Sequence, residues 1–185
     1  PQSEQTQTLL TAFGNAGVPV ELFAGVDGRK GMPALQAGER LDTRKMLWRH
    51  QSIMTSSEVG AYLSHYRVIK TAYEKGLPCV GIFEDDVELE PAFGNIVREL
   101  ETVADQYDMV RFMGLKIRKR KQVFSFADSQ HHIVRPERGL LGTQGYMLNR
   151  TGMKKVLDYA GNIFEPIDKV YDHFFEYDLR SFGIE

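Results

Sequence analysis

Cys79-Val80-Gly81-Ile82-Phe83 runs directly into Glu84-Asp85-Asp86. A short apolar run without alternation reads as a strand buried on both faces, the pattern of a central strand in a parallel sheet. The change to three adjacent carboxylates marks its carboxyl end. Upstream, Ser56 or Ser57 is placed to cap a helix from about Glu58 to Lys75. Val59, Tyr62, Tyr66, Ile69 and Tyr73 fall on one helical stripe, and Gly76 and Pro78 stop it. Downstream, Pro91 to Ala104 reads as a helix, Asp108 to Met113 as a strand and residues 116–138 as short strands and loops. Gly142 to Leu148 reads as a turn and strand, Thr151 to Ala160 as a helix, and Pro166 as the first turn of a last helix. Toward the start, a short helix follows Ser3, Val20 to Val26 reads as a strand, and Arg44 to His50 as a helical turn. Strands alternating with helices predict an α/β fold with a mainly parallel central sheet.

Composition narrows the function classes. The chain has 185 residues, a one-domain length, and 42% hydrophobic residues suffice for a core. A net charge of −2 gives no broad basic footprint, so no nucleic-acid partner is expected. No apolar run approaches the ~20 residues of a membrane span, and no signal peptide is visible. The single cysteine, Cys79, reads as a buried bystander and suits a reducing, cytoplasmic compartment.

Three adjacent acids at a strand end repel one another, and a divalent cation relieves that cost. Oxygen-only ligands favour Mg²⁺ or Mn²⁺. In extended backbone Glu84 and Asp86 point to one side and Asp85 to the other, so Glu84 and Asp86 form the natural metal pair. A solvated acidic turn is the competing reading. Glu58, Ala61 and His65 share a helix face beside Ser64, either as a cleft edge or as a surface glutamate and a satisfied histidine. Gly142-Thr143-Gln144-Gly145-Tyr146 permits close backbone approach to a ligand, or is an ordinary turn. Asp168 and Asp172 lie one helical turn apart with Glu176 on the same face, placing a general base or a solvated acidic face. Lys116-Ile117-Arg118-Lys119-Arg120-Lys121 carries five positive charges in six residues, for an anionic substrate or acidic lipid, or as a solvated loop. His131-His132 reads as loop.

Taken together these segments resemble glycosyltransferase family 25, which contains bacterial lipopolysaccharide and lipooligosaccharide galactosyl- and glucosyltransferases and relatives that glycosylate collagen. Ser57-Glu58-Val59-Gly60-Ala61-Tyr62-Leu63-Ser64-His65 resembles the family's E-x-G-x-x-x-S-H segment, and Ile82-Phe83-Glu84-Asp85-Asp86-Val87 its acidic L-E-D-D-V motif. Gly142–Tyr146 is similar to G-T-x-G-Y, Pro166-Ile167-Asp168 to P-x-D, and Ala24–Gly28 to A-x-D-G. The resemblance implies a GT-A-like (Rossmann-like) single domain over residues 1–185, lacking the family's first strand and its C-terminal end. It implies transfer of galactose or glucose, with inversion, from UDP-galactose or UDP-glucose to a lipid-linked lipopolysaccharide or lipooligosaccharide acceptor, with Mn²⁺ (or Mg²⁺) as cofactor. Glu84 and Asp86 would hold the metal. Glu58, Ser64, His65 and Asp85 would line the donor site, with Gly145 and Tyr146 on the acceptor side. Asp168, then Asp172, would be the base. A cytoplasmic enzyme, peripheral on the inner face of the membrane through Lys116–Lys121, is the corresponding localisation. Lys169 stands where some relatives have histidine. The competing readings are another Mg²⁺-dependent α/β phosphate-transfer enzyme, or an inactive glycosyltransferase-like domain that binds sugar nucleotides.

Overall fold

A computed structural model describes residues 4–112, 119–127 and 130–185. Helix α1 covers Glu4–Ala16. A two-residue strand β1 (Arg40–Leu41) and helix α2 (Thr43–His50) lead to α3 (Ser56–Glu74) and strand β2 (Cys79–Phe83). Helix α4 (Phe93–Thr102) and strand β3 (Met109–Arg111) follow, then β4 (Arg120–Ser125) and β5 (His132–Pro136). Strand β6 (Gly145–Asn149), helix α5 (Arg150–Ala160), β7 (Asn162–Ile163), α6 (Ile167–Asp172) and β8 (Ser181–Ile184) complete the order.

The main sheet has the order β2-β6-β3-β8-β5-β4, and β1 pairs β7 separately in parallel. Only β3 and β8 run parallel in the main sheet. The pairs β2–β6, β3–β6, β4–β5 and β5–β8 are antiparallel. The expected mainly parallel sheet is therefore corrected to a mixed, mostly antiparallel one. The apolar run of β2 reports burial, but strand direction is set by connections. Residues after β3 return through the β4–β5 hairpin, and β6 then enters between β2 and β3 against both. The expected central position of β2 is also corrected, since it is an edge strand and the fully buried strands are β6 and its neighbour β3.

Val20–Val26, expected as a strand, forms no ladder. It runs beside the unpaired edge of β2, with a groove between the two. Without a pairing partner an extended segment cannot become a strand. Its anchorage comes instead from α3, where the Val26 amide donates to Ser64 Oγ at 2.8 Å. His132, expected in a loop, opens β5.

Alternate residues of the inner strands fill two cores. Met109, Tyr146 and Leu148 face α3, α5 and α6, among Leu63, Ile69, Val156 and Tyr171. Val110 and Met147 face α4 through Ile96 and Leu100. Helix α3 bears the predicted stripe: Val59, Tyr62, Tyr66 and Ile69 are buried. Its N-cap is Thr55, one residue before the expected serines. The Thr55 hydroxyl accepts from the Glu58 amide, and the Glu58 carboxylate accepts from the Thr55 amide. That capping box closes the first turn.

Gly60 lets residues 26–28 lie directly on α3. A Cβ there would stand 2.7 Å from Val26 O and 2.8 Å from Gly28 N, both backbone atoms. Helix propensity favours alanine by about 1 kcal/mol, but overpacking against rigid backbone costs about 1–3 kcal/mol. Gly60→Ala is therefore expected to lower stability by up to about 2 kcal/mol in urea unfolding. A gain in stability would show that residues 26–28 yield freely.

Candidate active site

The site is built at the carboxyl end of β2. The Glu84 amide donates to Gln144 O at 2.9 Å, extending the β2–β6 pairing by one step. Asp85 and Asp86 then turn away from the sheet, exposed. Because the chain turns here, the alternation expected of extended backbone does not apply. Glu84, Asp85 and Asp86 all line one groove of about 750 Å³. Its floor is α3, through Ala61, Ser64 and His65, and its walls are the edge of β2 and residues 20–25. Helix α1 closes one side through Leu9, Leu10 and Phe13. The side chains from α1 and residues 20–25 are mostly apolar, Glu21 and Thr6 excepted, and the turn after β2 adds three carboxylates.

Glu84 is the anchored member. Its Oε1 accepts from Thr143 Oγ1 at 2.5 Å and lies 3.5 Å from His65 Nε2. The imidazole beside it, helped by the Thr143 hydroxyl, holds the Glu84 carboxyl below the usual range against the opposing effect of burial. Glu84 Oε2 has no hydrogen-bond partner among the described residues. Asp85 and Asp86 make no ion pair among them either.

Among the described residues no group of three His, Cys, Asp or Glu side chains is arranged to hold a metal by itself. The donor set still suits a hard divalent cation that keeps several ligands from water or substrate. Mg²⁺ and similar ions are commonly held by one or two carboxylates plus substrate phosphates.

Ser64 and His65 reach the groove as expected, but each is also tied inward. Ser64 Oγ donates to Gly60 O at 2.8 Å and accepts from the Val26 amide. His65 Nδ1 lies 2.8 Å from the Tyr146 hydroxyl, which lies 2.9 Å from that of Tyr171. Tyr146 is fully buried, so it sits beneath the groove rather than on an open acceptor face. Gly145 is buried beside Phe83. Glu58 is spent on the capping box and does not line the groove.

The expected acidic face is divided: α6 ends at Asp172, and Glu176 lies in the 3-10 turn Phe174–Glu176 that follows it. Asp172 Oδ1 lies 2.8 Å from Nη1 of Arg111, which is almost wholly buried, and accepts from the Leu141 amide at 3.2 Å. Glu176 pairs with Arg49 at 2.5 Å and also accepts from the Tyr159 hydroxyl; the Arg49 guanidinium pulls its carboxyl down to about 2. Asp168, in the first turn of α6, is half-buried and has no ion pair among the described residues. Of the three, its carboxylate is the one left uncommitted. The pair at Glu84 and Asp86 and the pair at Asp168 and Asp172 do not line the same groove.

Thr143, Arg111 and Tyr171 are site residues the sequence reading did not single out. A lone arginine inside Met109-Val110-Arg111-Phe112 is the signal that was available, because a charge in a buried strand needs a partner. Residues 116–118 of the basic run lie outside the described residues. Of the rest, Arg120 pairs with Glu185, and Lys119 and Lys121 are exposed. Among the described residues no helix is long and apolar enough to cross a membrane.

Comparison with known proteins places these features. The family model described as "Glycosyltransferase family 25 (LPS biosynthesis protein)" matches residues 2–171. A "Glycosyltransferase 25 family member" of Drosophila melanogaster is 30% identical over 173 residues, covering 90% of this chain and 27% of that protein. "Procollagen galactosyltransferase 1-A" of Xenopus laevis is 30% identical over 160 residues, covering 74% of this chain and 25% of the relative. "Lacto-N-neotetraose biosynthesis glycosyltransferase LgtE" of Neisseria meningitidis serogroup B is 24% identical over 165 residues, covering 84% of this chain and 56% of the relative. The chain thus spans about a quarter of the length of the animal relatives and about half of the Neisseria one. With the family match running through the acidic strand end, the α3 segment and the start of α6, this chain belongs to glycosyltransferase family 25.

Proposed function

We propose that the chain is the catalytic region of a metal-dependent hexosyltransferase that moves galactose or glucose from a UDP-sugar to an oligosaccharide acceptor. The observation that carries this reading is the groove ending in Glu84, Asp85 and Asp86, with His65 and Thr143 orienting the first of them. Its volume of about 750 Å³ and its apolar side chains suit the body of a nucleotide sugar, and its acidic run suits a divalent cation held together with the donor's phosphates. The names of relatives, galactosyltransferases of procollagen and an enzyme of lacto-N-neotetraose biosynthesis, support galactose as the first sugar to test. For the acceptor, a lipid-linked lipopolysaccharide or lipooligosaccharide is the proposal, reached by a cytoplasmic enzyme resting on the membrane's inner face through Lys116–Lys121.

Bound Mn²⁺ or Mg²⁺ would neutralise charge on the UDP leaving group. Asp86 and Oε2 of Glu84 are the residues to hold it, and Asp85 would stand beside the donor. Ser64 and His65 would keep the groove floor in register with residues 24–28. Asp168, which does not line that groove, would have to meet the acceptor from α6 and accept the proton of its attacking hydroxyl there, giving inversion. Asp172, held by Arg111, is the second choice for that role and serves first to orient α6.

The test is UDP release from UDP-galactose, UDP-glucose and UDP-N-acetylglucosamine in turn, with Mn²⁺ present or chelated. Release from a hexose donor that stops on chelation is the expected result. Donor binding without release would make this a sugar-nucleotide-binding domain, and phosphate release alone would make it a phosphate-transfer enzyme. Neither release nor a donor-induced thermal shift would overturn the reading.

A further inference from the structure

A continuous line of polar groups runs from the groove into the core. Glu84 Oε1 faces His65 Nε2 at 3.5 Å, His65 Nδ1 meets the Tyr146 hydroxyl at 2.8 Å, and that hydroxyl meets the Tyr171 hydroxyl at 2.9 Å. Tyr146 and Tyr171 are fully buried and His65 nearly so. Two hydroxyls in an apolar core on the sheet's α3 and α6 face cost free energy unless each is paired, and the chain pairs them with each other and with the imidazole.

The proton order along this chain is selected from both ends: by the Glu84 carboxylate outside, and inside by the Tyr171 hydroxyl, whose hydrogen has no acceptor among the described residues but the Tyr146 oxygen. A carboxylate can only accept, so a neutral His65 satisfies Glu84 with its hydrogen on Nε2. The other nitrogen of a neutral imidazole is then an acceptor, so the Tyr146 hydroxyl donates to Nδ1. Its oxygen is left to accept, and the Tyr171 hydroxyl donates to it. Burial raises both phenols far above their ordinary range, so both remain donors at every working pH. Tyr171 is itself held in place, with the Arg111 guanidinium 5.6 Å from its ring centre and Arg111 paired to Asp172.

We infer that Tyr146 and Tyr171 are positioning residues for Glu84, acting through His65: they lock its Nε2–H tautomer, which with Thr143 fixes one oxygen of Glu84 and turns the other to the groove. This rests on the reading that Glu84 serves the groove. It assigns the buried tyrosine of Gly142–Tyr146 a role beneath the site, and it couples the acidic strand end to α6, the helix that carries Asp168. A chain of hydrogen bonds in a low-dielectric interior polarises each member, so loss of the inner donor weakens the outer contact too.

The test uses the intact chain with ¹⁵N-labelled histidine and ¹³C-labelled glutamate carboxyl groups, at pH 8. In the wild type, His65 is expected as a single Nε2–H tautomer. In Tyr146→Phe it is expected to become a mixture of both tautomers, and the Glu84 carboxyl resonance to move with it. Tyr171→Phe, which keeps the direct donor to His65, is expected to shift the same signals in the same direction by less. An unchanged His65 tautomer in Tyr146→Phe overturns the inference, as does a changed tautomer with an unmoved Glu84 signal. Mn²⁺-dependent UDP release in Tyr146→Phe should fall about 10–100-fold, the usual effect of removing a group that orients a metal ligand. Unaltered turnover beside a mixed tautomer also overturns it. Absence of UDP release in the wild type would instead be the failure of the nucleotide-sugar reading, and the two spectra would still decide whether the tyrosines hold Glu84.

Discussion

Asp86→Ala is expected to cut Mn²⁺-dependent UDP release by on the order of 10²–10³, the effect of removing one group aimed at developing charge, while leaving thermal unfolding unchanged. The separation between the two readouts follows from where Asp86 sits. It is exposed on the turn after β2, and it makes no hydrogen bond or ion pair among the described residues. Its removal therefore breaks nothing in the fold. Its carboxylate lines the groove, beside that of Glu84. Glu84→Ala is a poorer probe, because it also leaves Thr143 and His65 without their acceptor. Glu88→Ala is the matched control, being acidic, exposed and two residues farther on, but absent from the groove lining. Full activity in Asp86→Ala would remove the strand-end carboxylate from the mechanism and leave the acidic run as a solvated turn. Equal losses in Asp86→Ala and Glu88→Ala would point to general attraction of a cation rather than a defined site.

The helices were the legible part of the fold. Helix α3 declares itself through a stripe of large apolar residues and a glycine stop, and burial of Val59, Tyr62, Tyr66 and Ile69 follows from that periodicity alone. Strand β2 was legible as a strand, since Cys79–Phe83 holds no charge and ends in three acids. Its direction and edge position were not, because an apolar run carries no record of which strand lies beside it. Val20–Val26 has the residues of a strand and forms none, because pairing is a property of two segments and its sequence describes one. At the site, the acidic run was singled out by type and spacing, and the Ser64-His65 pair by the resemblance of its segment to the family's. The role of Tyr146 was not, because its meaning lies in contacts to His65 and Tyr171, 81 and 25 residues away. Likewise the regular spacing of Asp168, Asp172 and Glu176 suggested one acidic face. Arginines from β3 and α2 claim two of the three carboxylates, and no local pattern in α6 announces them.

The Arg111–Asp172 pair carries the largest stability prediction. Arg111 is 2% exposed and Asp172 11% at its side chain, so the two charges meet largely out of water. Among the described residues Arg111 Nε finds no acceptor, and the contact from Nη1 is an ion pair rather than a well-aligned hydrogen bond. Such a pair gains little over an apolar replacement, but breaking it by removing one partner costs about 3–5 kcal/mol, because the other charge stays buried. Among the described residues Arg111→Met leaves Asp172 with only the Leu141 amide, and Asp172→Asn leaves the guanidinium uncompensated. Each single variant is expected to lose about 3–5 kcal/mol, a drop on the order of 10 °C in melting temperature for a chain of this size. The double variant removes both charges at once, so it should be more stable than the sum of the single losses predicts, by about 2 kcal/mol. Denaturant unfolding of the four proteins gives that coupling directly. Additive losses, or singles within about 1 kcal/mol of the wild type, would mean that water reaches the pair and screens it. The same variants separate the two candidate bases. If Asp172 is structural, Asp172→Asn below its melting temperature keeps most of its UDP release. Asp168→Asn, with no ion pair among the described residues to break, should then unfold like the wild type and lose turnover.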